Sequence, residues 1–225
     1  MPSDPPATLD PRRTALLVID MQRDFLHPDG YAARAGMDIG PLRAAIEPVG
    51  TLLAAARAAR LTIVHTREGH LPDLSDCPPY KLARSRNAGA QIGSPGPMGR
   101  LLVRGEHGHD FIDDLQPLPG EIVIDKPGYS AFEHTALAQV LTTRGIDTLL
   151  LCGITTEVCV SSTLRAAVDR GYRCITVGDA CASADWTLHE AALRMIGVEG
   201  GIFGQVCGVA EIEDALITGF RNQPE

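Results

Sequence analysis

Residues 148–171, TLLLCGITTEVCVSSTLRAAVDRG, carry the signature of the architecture. The first seven residues, Thr148–Ile154, form a short run with no charge and almost no polar side chain. That is how a strand covered on both faces reads. Two threonines and a glutamate follow, and from Val158 to Arg170 the apolar residues recur at helical spacing. A buried strand running straight into a helix is one half of a parallel β-α-β unit.

The same unit recurs on either side. TALLVID (Thr14–Asp20) reads as a first buried strand, followed by an Ala- and Leu-rich helical pattern over Pro41–Arg60. LTIVHTR (Leu61–Arg67) is a second strand. EIVIDKP (Glu121–Pro127) is a third, with a helix over Glu133–Arg144. RCITVGDAC (Arg173–Cys181) precedes a helix over Thr187–Ile196, QVCGVAEI (residues 205–212) reads as a short sixth strand, and Glu211–Thr218 as closing helical turns. The alternation predicts an α/β fold of three layers, α/β/α, around a mostly parallel, roughly six-stranded sheet of Rossmann-like type. One stretch breaks the pattern. Residues 68–118 are rich in Pro and Gly, including GSPGPMG (Gly93–Gly99), and are expected to be an irregular insertion within a single domain, close to the mouth of the site.

Bulk properties narrow the classes of function. The 225 residues suffice for one sizeable core. A net charge of −8 with no basic tract argues against nucleic acid or an anionic membrane as partner. No apolar run is long enough to span a bilayer. The polar, Pro-rich Met1–Arg13 lacks the apolar stretch of a secretion signal, which places the protein in the cytoplasm. There the six cysteines, none in a CxxC pair, are expected to be free thiols.

On parallel sheets ligands bind beyond the carboxyl ends of the strands, so the residues there carry the interest: Asp20, Arg67, Lys126, Thr155–Cys159 and Asp179. With Thr156 as N-cap, Cys159 falls at the third helical position, where unpaired N–H groups and the positive end of the helix favour a thiolate and an oxyanion. A lone cysteine there is as well explained by packing. Asp20 closes its strand and offers a carboxylate that can take a thiol proton and return it to a leaving amine. A lone aspartate is more often a turn or cap residue, and Asp24, one turn on, is read as a loop clamp. Lys126 supplies a cation for both anions; a strand-end lysine is ordinarily only solvated.

Together VIDMQRDF, DKPGYSAF and GITTEVCVSSTLRAA resemble, in order and over nearly the whole chain, the isochorismatase-like cysteine hydrolases. That superfamily includes nicotinamidases, N-carbamoylsarcosine amidases, ureidoacrylate amidohydrolases and biuret hydrolases. The resemblance implies a triad of Asp20, Lys126 and Cys159, a cis peptide between Ile154 and Thr155, and an oxyanion hole formed by the N–H groups of Thr155 and Cys159. It also implies a homo-oligomer, commonly a tetramer. The cysteine argues for C–N hydrolysis over vinyl-ether chemistry. HTREGHLPDLSDC shows no Asp-x-His of the kind with which nicotinamidases hold a metal, so neither metal nor other cofactor is expected.

The middle and end of the chain look most like the biuret hydrolase branch, with Glu199 where that branch has a glutamine that touches substrate. A glutamate only accepts hydrogen bonds, which suits a donor-rich ureide and points to triuret ahead of biuret. Substrate contacts are expected from Glu199, Arg67, Ile154 and Phe25, with Phe132 as a further wall. The rival within enzymes is an N-carbamoylsarcosine or ureidoacrylate type of amidase, whose carboxylate-bearing substrate needs a cation, from Arg67 or Arg86. From another class, a non-catalytic ligand-binding module would be expected had a triad member been replaced.

Overall fold

The computed structural model describes residue 6 and residues 8–221, with side chains to residue 219; the other residues of the Pro-rich amino-terminal stretch lie outside the described residues. In chain order its elements are β1 (Thr14–Ile19), α1 (Arg23–Leu26), α2 (Tyr31–Arg34), α3 (Ile39–Arg43), α4 (Ile46–Ala58), β2 (Thr62–Glu68), α5 (Pro79–Asn87), β3 (Pro95–Gly96), β4 (Gly99–Arg100), β5 (Ile122–Lys126), α6 (Leu137–Thr143), β6 (Thr148–Ile154), α7 (Ser161–Val168), β7 (Arg173–Ala182), α8 (Trp186–Ile196), β8 (Gln205–Cys207) and α9 (Val209–Arg221).

Six strands form one sheet in the order β5-β2-β1-β6-β7-β8, and every pairing in it is parallel. β1 and β6 are the adjacent central pair from which the chain builds outward in both directions. The crevice above such a switch point is where open α/β sheets bind ligands. Along β1 the faces alternate: Leu16 and Val18 join the core beneath α4 and α9, while Ala15, Leu17 and Ile19 join the core beneath α6 and α7. β6 is buried along its whole length. Each of its leucines contributes roughly 1.5–3 kcal/mol relative to exposure. No helix among the described residues is long and apolar enough to cross a membrane.

Several boundaries differ from expectation. The helical pattern over 41–60 is two helices, α3 and α4. The sixth strand ends at Cys207, and Val209–Ile212 begin α9, because the Asp179 carboxylate accepts from the Val209 N–H and starts the helix there. The stretch 68–118 holds α5, a small β3–β4 hairpin and a helical turn at Asp113–Leu115. Glu68 is the last residue of β2, paired with Lys126, and not the first of an insertion.

Candidate active site

Four strand ends deliver the reactive groups. β1 ends at Ile19, and Asp20 turns the chain with φ 55, a left-handed conformation that Asp tolerates better than most residues. Its N–H bonds to the Thr66 carbonyl at 3.2 Å, and the Thr66 hydroxyl donates to Asp20 Oδ1 at 2.6 Å. The carboxylate is thereby aimed along the sheet edge. β5 ends on Lys126, whose Nζ lies 2.7 Å from Asp20 Oδ2 and 3.4 Å from Cys159 Sγ, and donates to the Gly128 carbonyl at 3.0 Å.

After β6 the Ile154–Thr155 peptide is cis, and residues 156–160 form a wide turn with π-type bonding before α7. Cys159 sits in that turn. Thr156 does not cap the helix: its hydroxyl pairs with His189 Nδ1 at 2.8 Å, and the cap position belongs to Thr155, whose side chain makes no capping bond. The approach of β6 to β1 is close. Gly153 has φ 107, and a Cβ there would lie 2.1 Å from the Ile19 carbonyl oxygen.

A fourth group, not evident from the sequence, joins them. Glu68 Oε2 accepts from the Cys159 thiol at 3.4 Å, and Glu68 Oε1 pairs with Lys81 Nζ at 2.7 Å. Lys81, from α5, also donates to the Pro127 carbonyl at 2.7 Å, with its ammonium 5.0 Å from the Tyr129 ring centre. The Glu68 backbone is held on both sides by one side chain: Gln22 accepts from its N–H at 2.7 Å and donates to its carbonyl at 3.0 Å. The signal the sequence offers is an acidic residue directly after the apolar run LTIVHTR, at a strand end like that of Lys126. It was obscured because Glu68 adjoins the Pro- and Gly-rich stretch.

All five groups are buried. Two carboxylates and two ammonium groups make a quartet whose charges cancel. Burial would lower Lys126, but Asp20, Cys159 and Glu68 outweigh it and raise it above the usual lysine range. Burial pushes Asp20 up, only partly offset by Lys126. For Glu68 the two lysines outweigh burial and bring the carboxyl below its ordinary value. Burial also drives the Cys159 thiol well above its usual range, partly offset by Lys126. A thiolate would add an uncompensated charge to a balanced set, which favours the protonated thiol. Ligand atoms of Asp20, Glu68 and Cys159 lie within 4.8 Å of one another, a spacing that could hold a cation. The Lys126 ammonium, within 3.8 Å of all three, already takes that place, so a metal would enter only by displacing it.

A pocket of about 330 Å³ opens onto the sulfur, lined by Phe25, Tyr31, Met37, Glu68, Arg84, Tyr129, Ile154, Thr155, Val158 and Cys159. Phe25 and Ile154 therefore meet the space above the thiol. Arg67 does not: it is paired with Asp125 at 2.8 Å and Asp110 at 3.1 Å, because its strand position turns it toward those acids. Glu199 is exposed in a turn after α8, outside the pocket wall. Arg86 bonds to Gln91, and Phe132 packs in the core against Tyr172. The cation in the pocket is Arg84, one helical turn from Lys81 on α5, with the Tyr31 and Tyr129 phenols beside it. It makes no ion pair with a carboxylate among the described residues. Asp24 holds the surrounding loops, accepting from the N–H groups of Leu102 at 2.9 Å and Tyr31 at 3.3 Å.

A cysteine, a carboxylate and a lysine converging at the switch point of a parallel sheet define a class of hydrolase, and the chain belongs to the isochorismatase family: residues 14–211 match its domain. The chain is 38% identical to the ureidoacrylate amidohydrolase RutB of Methylobacterium radiotolerans, over 96% of this chain and 84% of that protein. Among solved structures it resembles a cysteine hydrolase from Pseudomonas syringae pv. phaseolicola (TM-score 0.77, 28% identity, 97% of each chain). It also resembles the N-carbamoylsarcosine amidase of Thermoplasma acidophilum (TM-score 0.63, 27% identity, 88% of this chain and 96% of that one).

Proposed function

We propose that this enzyme hydrolyses the carbamoyl C–N bond of a small ureide that carries a carboxylate, with Cys159 as nucleophile. The observation that carries this reading is Arg84, a guanidinium with no carboxylate partner among the described residues, lining the same pocket as the Cys159 thiol. An arginine fork matches a substrate carboxylate in two-pronged geometry. The names of the relatives, an ureidoacrylate amidohydrolase and an N-carbamoylsarcosine amidase, support the same class. The preference for triuret over biuret rested on Glu199, which lies outside the pocket.

Asp20 takes the proton from Cys159 as the sulfur bonds to the carbamoyl carbon. A raised carboxyl is better matched to a thiol than an ordinary one, and transfer concerted with attack avoids a free thiolate. Lys126 holds both groups in place and balances the charge that moves between them. The N–H groups of Thr155 and Cys159 receive the oxyanion. Asp20 then returns its proton to the leaving amine, and water releases the acyl group.

An ammonia-release screen over N-carbamoylsarcosine, N-carbamoyl-β-alanine, biuret, triuret and nicotinamide tests this, with Cys159→Ser as control. The carboxylate-bearing ureides should be turned over fastest, and Cys159→Ser should be inactive on all. Faster turnover of biuret or triuret would replace the reading with one for small urea polymers. Self-association belongs to the same proposal, supported by the exposed apolar side chains Trp186, Leu188, Met195, Val198 and Ile202. A light-scattering mass equal to one 24.0 kDa chain would remove it.

A further inference from the structure

Hydrolysis through an acyl-enzyme needs a base twice: once for the thiol and once for the water that clears the acyl group. Asp20 suits the first. It has no solvent exposure, lies behind Lys126, and is absent from the pocket wall. A water arriving from the pocket at an acyl carbon on Sγ does not meet it. The carboxylate it does meet is Glu68, which lines the pocket and has Oε2 3.4 Å from the sulfur.

We propose that Glu68 is the base that activates water for hydrolysis of the acyl-enzyme, while Asp20 serves the thiol. This rests on the reading of Cys159 as nucleophile. Glu68 is built for a fixed direction: Lys81 occupies Oε1, Gln22 grips its backbone from both sides, and only Oε2 faces the sulfur. Its ionisation supports the role, since Lys126 and Lys81 outweigh burial and keep it a carboxylate. A buried carboxylate with a dedicated lysine is costly to maintain, and packing alone is served as well by an apolar residue of the same size.

The water gives a proton to Glu68 as its oxygen bonds to the acyl carbon. The C–S bond breaks, the acid departs, and the sulfur recovers a proton from Glu68. Nothing is oxidised or reduced.

p-Nitrophenyl acetate separates the two halves, because p-nitrophenolate leaves without a proton and the acetyl group must then be cleared by water. Wild type should show a burst and steady turnover. Glu68→Gln should keep a burst near one equivalent, lose roughly 10²–10⁴-fold in steady-state rate, and accumulate an acetyl adduct on Cys159 visible by intact mass. Hydroxylamine, a nucleophile that needs no base, should discharge that adduct at near the wild-type rate. If Glu68→Gln loses the burst as much as the steady rate, or hydroxylamine brings no recovery, Glu68 only positions the thiol and the proposal fails. Should Glu68→Gln melt, the same partition is read in Glu68→Asp, which keeps the charge but draws it back from the sulfur. Absence of an acetyl adduct in both wild type and Glu68→Gln, with turnover persisting in Cys159→Ser, would instead remove Cys159 as nucleophile, and both readings with it.

Discussion

Asp20 and Lys126 form a 2.7 Å ion pair in which neither side chain has more than about a hundredth of its surface exposed. The partners come from the ends of strands that are not neighbours: β2 lies between β1 and β5. The lysine must reach across the end of β2 to meet the aspartate, and in doing so it passes Glu68 and arrives at the sulfur. The site is thus a consequence of strand order as much as of residue type.

Breaking this pair should cost both stability and activity. Lys126→Met strands a carboxylate in the core, at a cost of roughly 3–5 kcal/mol. The double variant Asp20→Asn/Lys126→Met removes the stranded charge and should recover a good part of that stability without recovering turnover. Urea midpoints alongside ammonia release check both. A single variant as stable as wild type would contradict the burial of the pair.

Arg84 should govern binding more than chemistry. Arg84→Met is expected to raise KM for carboxylate-bearing ureides by about 10–100-fold, the scale of one or two hydrogen bonds to a charged group. The kcat should change little, and so should KM for uncharged ureides. Steady-state kinetics on N-carbamoyl-β-alanine and its amide give the comparison. Equal loss on both would mean that Arg84 shapes the pocket without reading the carboxylate.

The thiol should behave as one that holds its proton. Burial raises Cys159 well above the ordinary thiol range, so its alkylation by iodoacetamide should keep climbing past pH 9, the ordinary thiol value, with no plateau at neutral pH. Lys126 favours the thiolate, so Lys126→Met should slow alkylation at a fixed pH. Peptide mass mapping separates this thiol from Cys77, the only one of the six not fully buried. A plateau near neutrality would show a resting thiolate instead.

Acid stability should reveal Glu121, which ties α4 and β2 to the start of β5. Burial would raise this carboxyl, but the bonds from Arg57, the Leu118 N–H and His65 outweigh it and hold it at about 2, against an ordinary 4.5. As pH falls, the unfolded chain takes up the proton first. The stability contributed is complete above pH 4.5 and is lost as pH drops toward 2, roughly 1–3 kcal/mol in all once solvent screening of this partly exposed pair is counted. Glu121→Gln should flatten the pH profile of the urea midpoint over that window, and an unchanged slope would refute the assignment.

Gly153→Ala should be among the most damaging small changes. The new Cβ would sit 2.1 Å from the Ile19 carbonyl oxygen, and φ 107 is a conformation that disfavours any side chain. Relief requires β1 and β6 to part where Asp20 and the cysteine turn emerge. We expect a loss of several kcal/mol and of soluble yield, measured by thermal melting. Replacement without cost would mean that the strands can separate freely.

Much of this was readable from residue order. Buried strands such as TALLVI and TLLLCGI show themselves because a sheet covered on both faces needs unbroken apolar runs, and that need is local. Asp20, Lys126 and the cysteine turn are visible for the same reason: each directly follows or ends such a run, and a parallel sheet gathers those ends on one edge. The end of the sixth strand is not legible locally, because Asp179, thirty residues earlier, starts the following helix.

The layered fold and the three strand ends follow from residue order, since hydrophobic periodicity is written in neighbouring residues. Which charges meet is settled in space: Arg67 is taken up by two aspartates, Glu199 stays at the surface, and Arg84 and Glu68 hold the pocket. Pairing between charges depends on distance in space, and a strand order of β5-β2-β1-β6 sets those distances in a way no local pattern records.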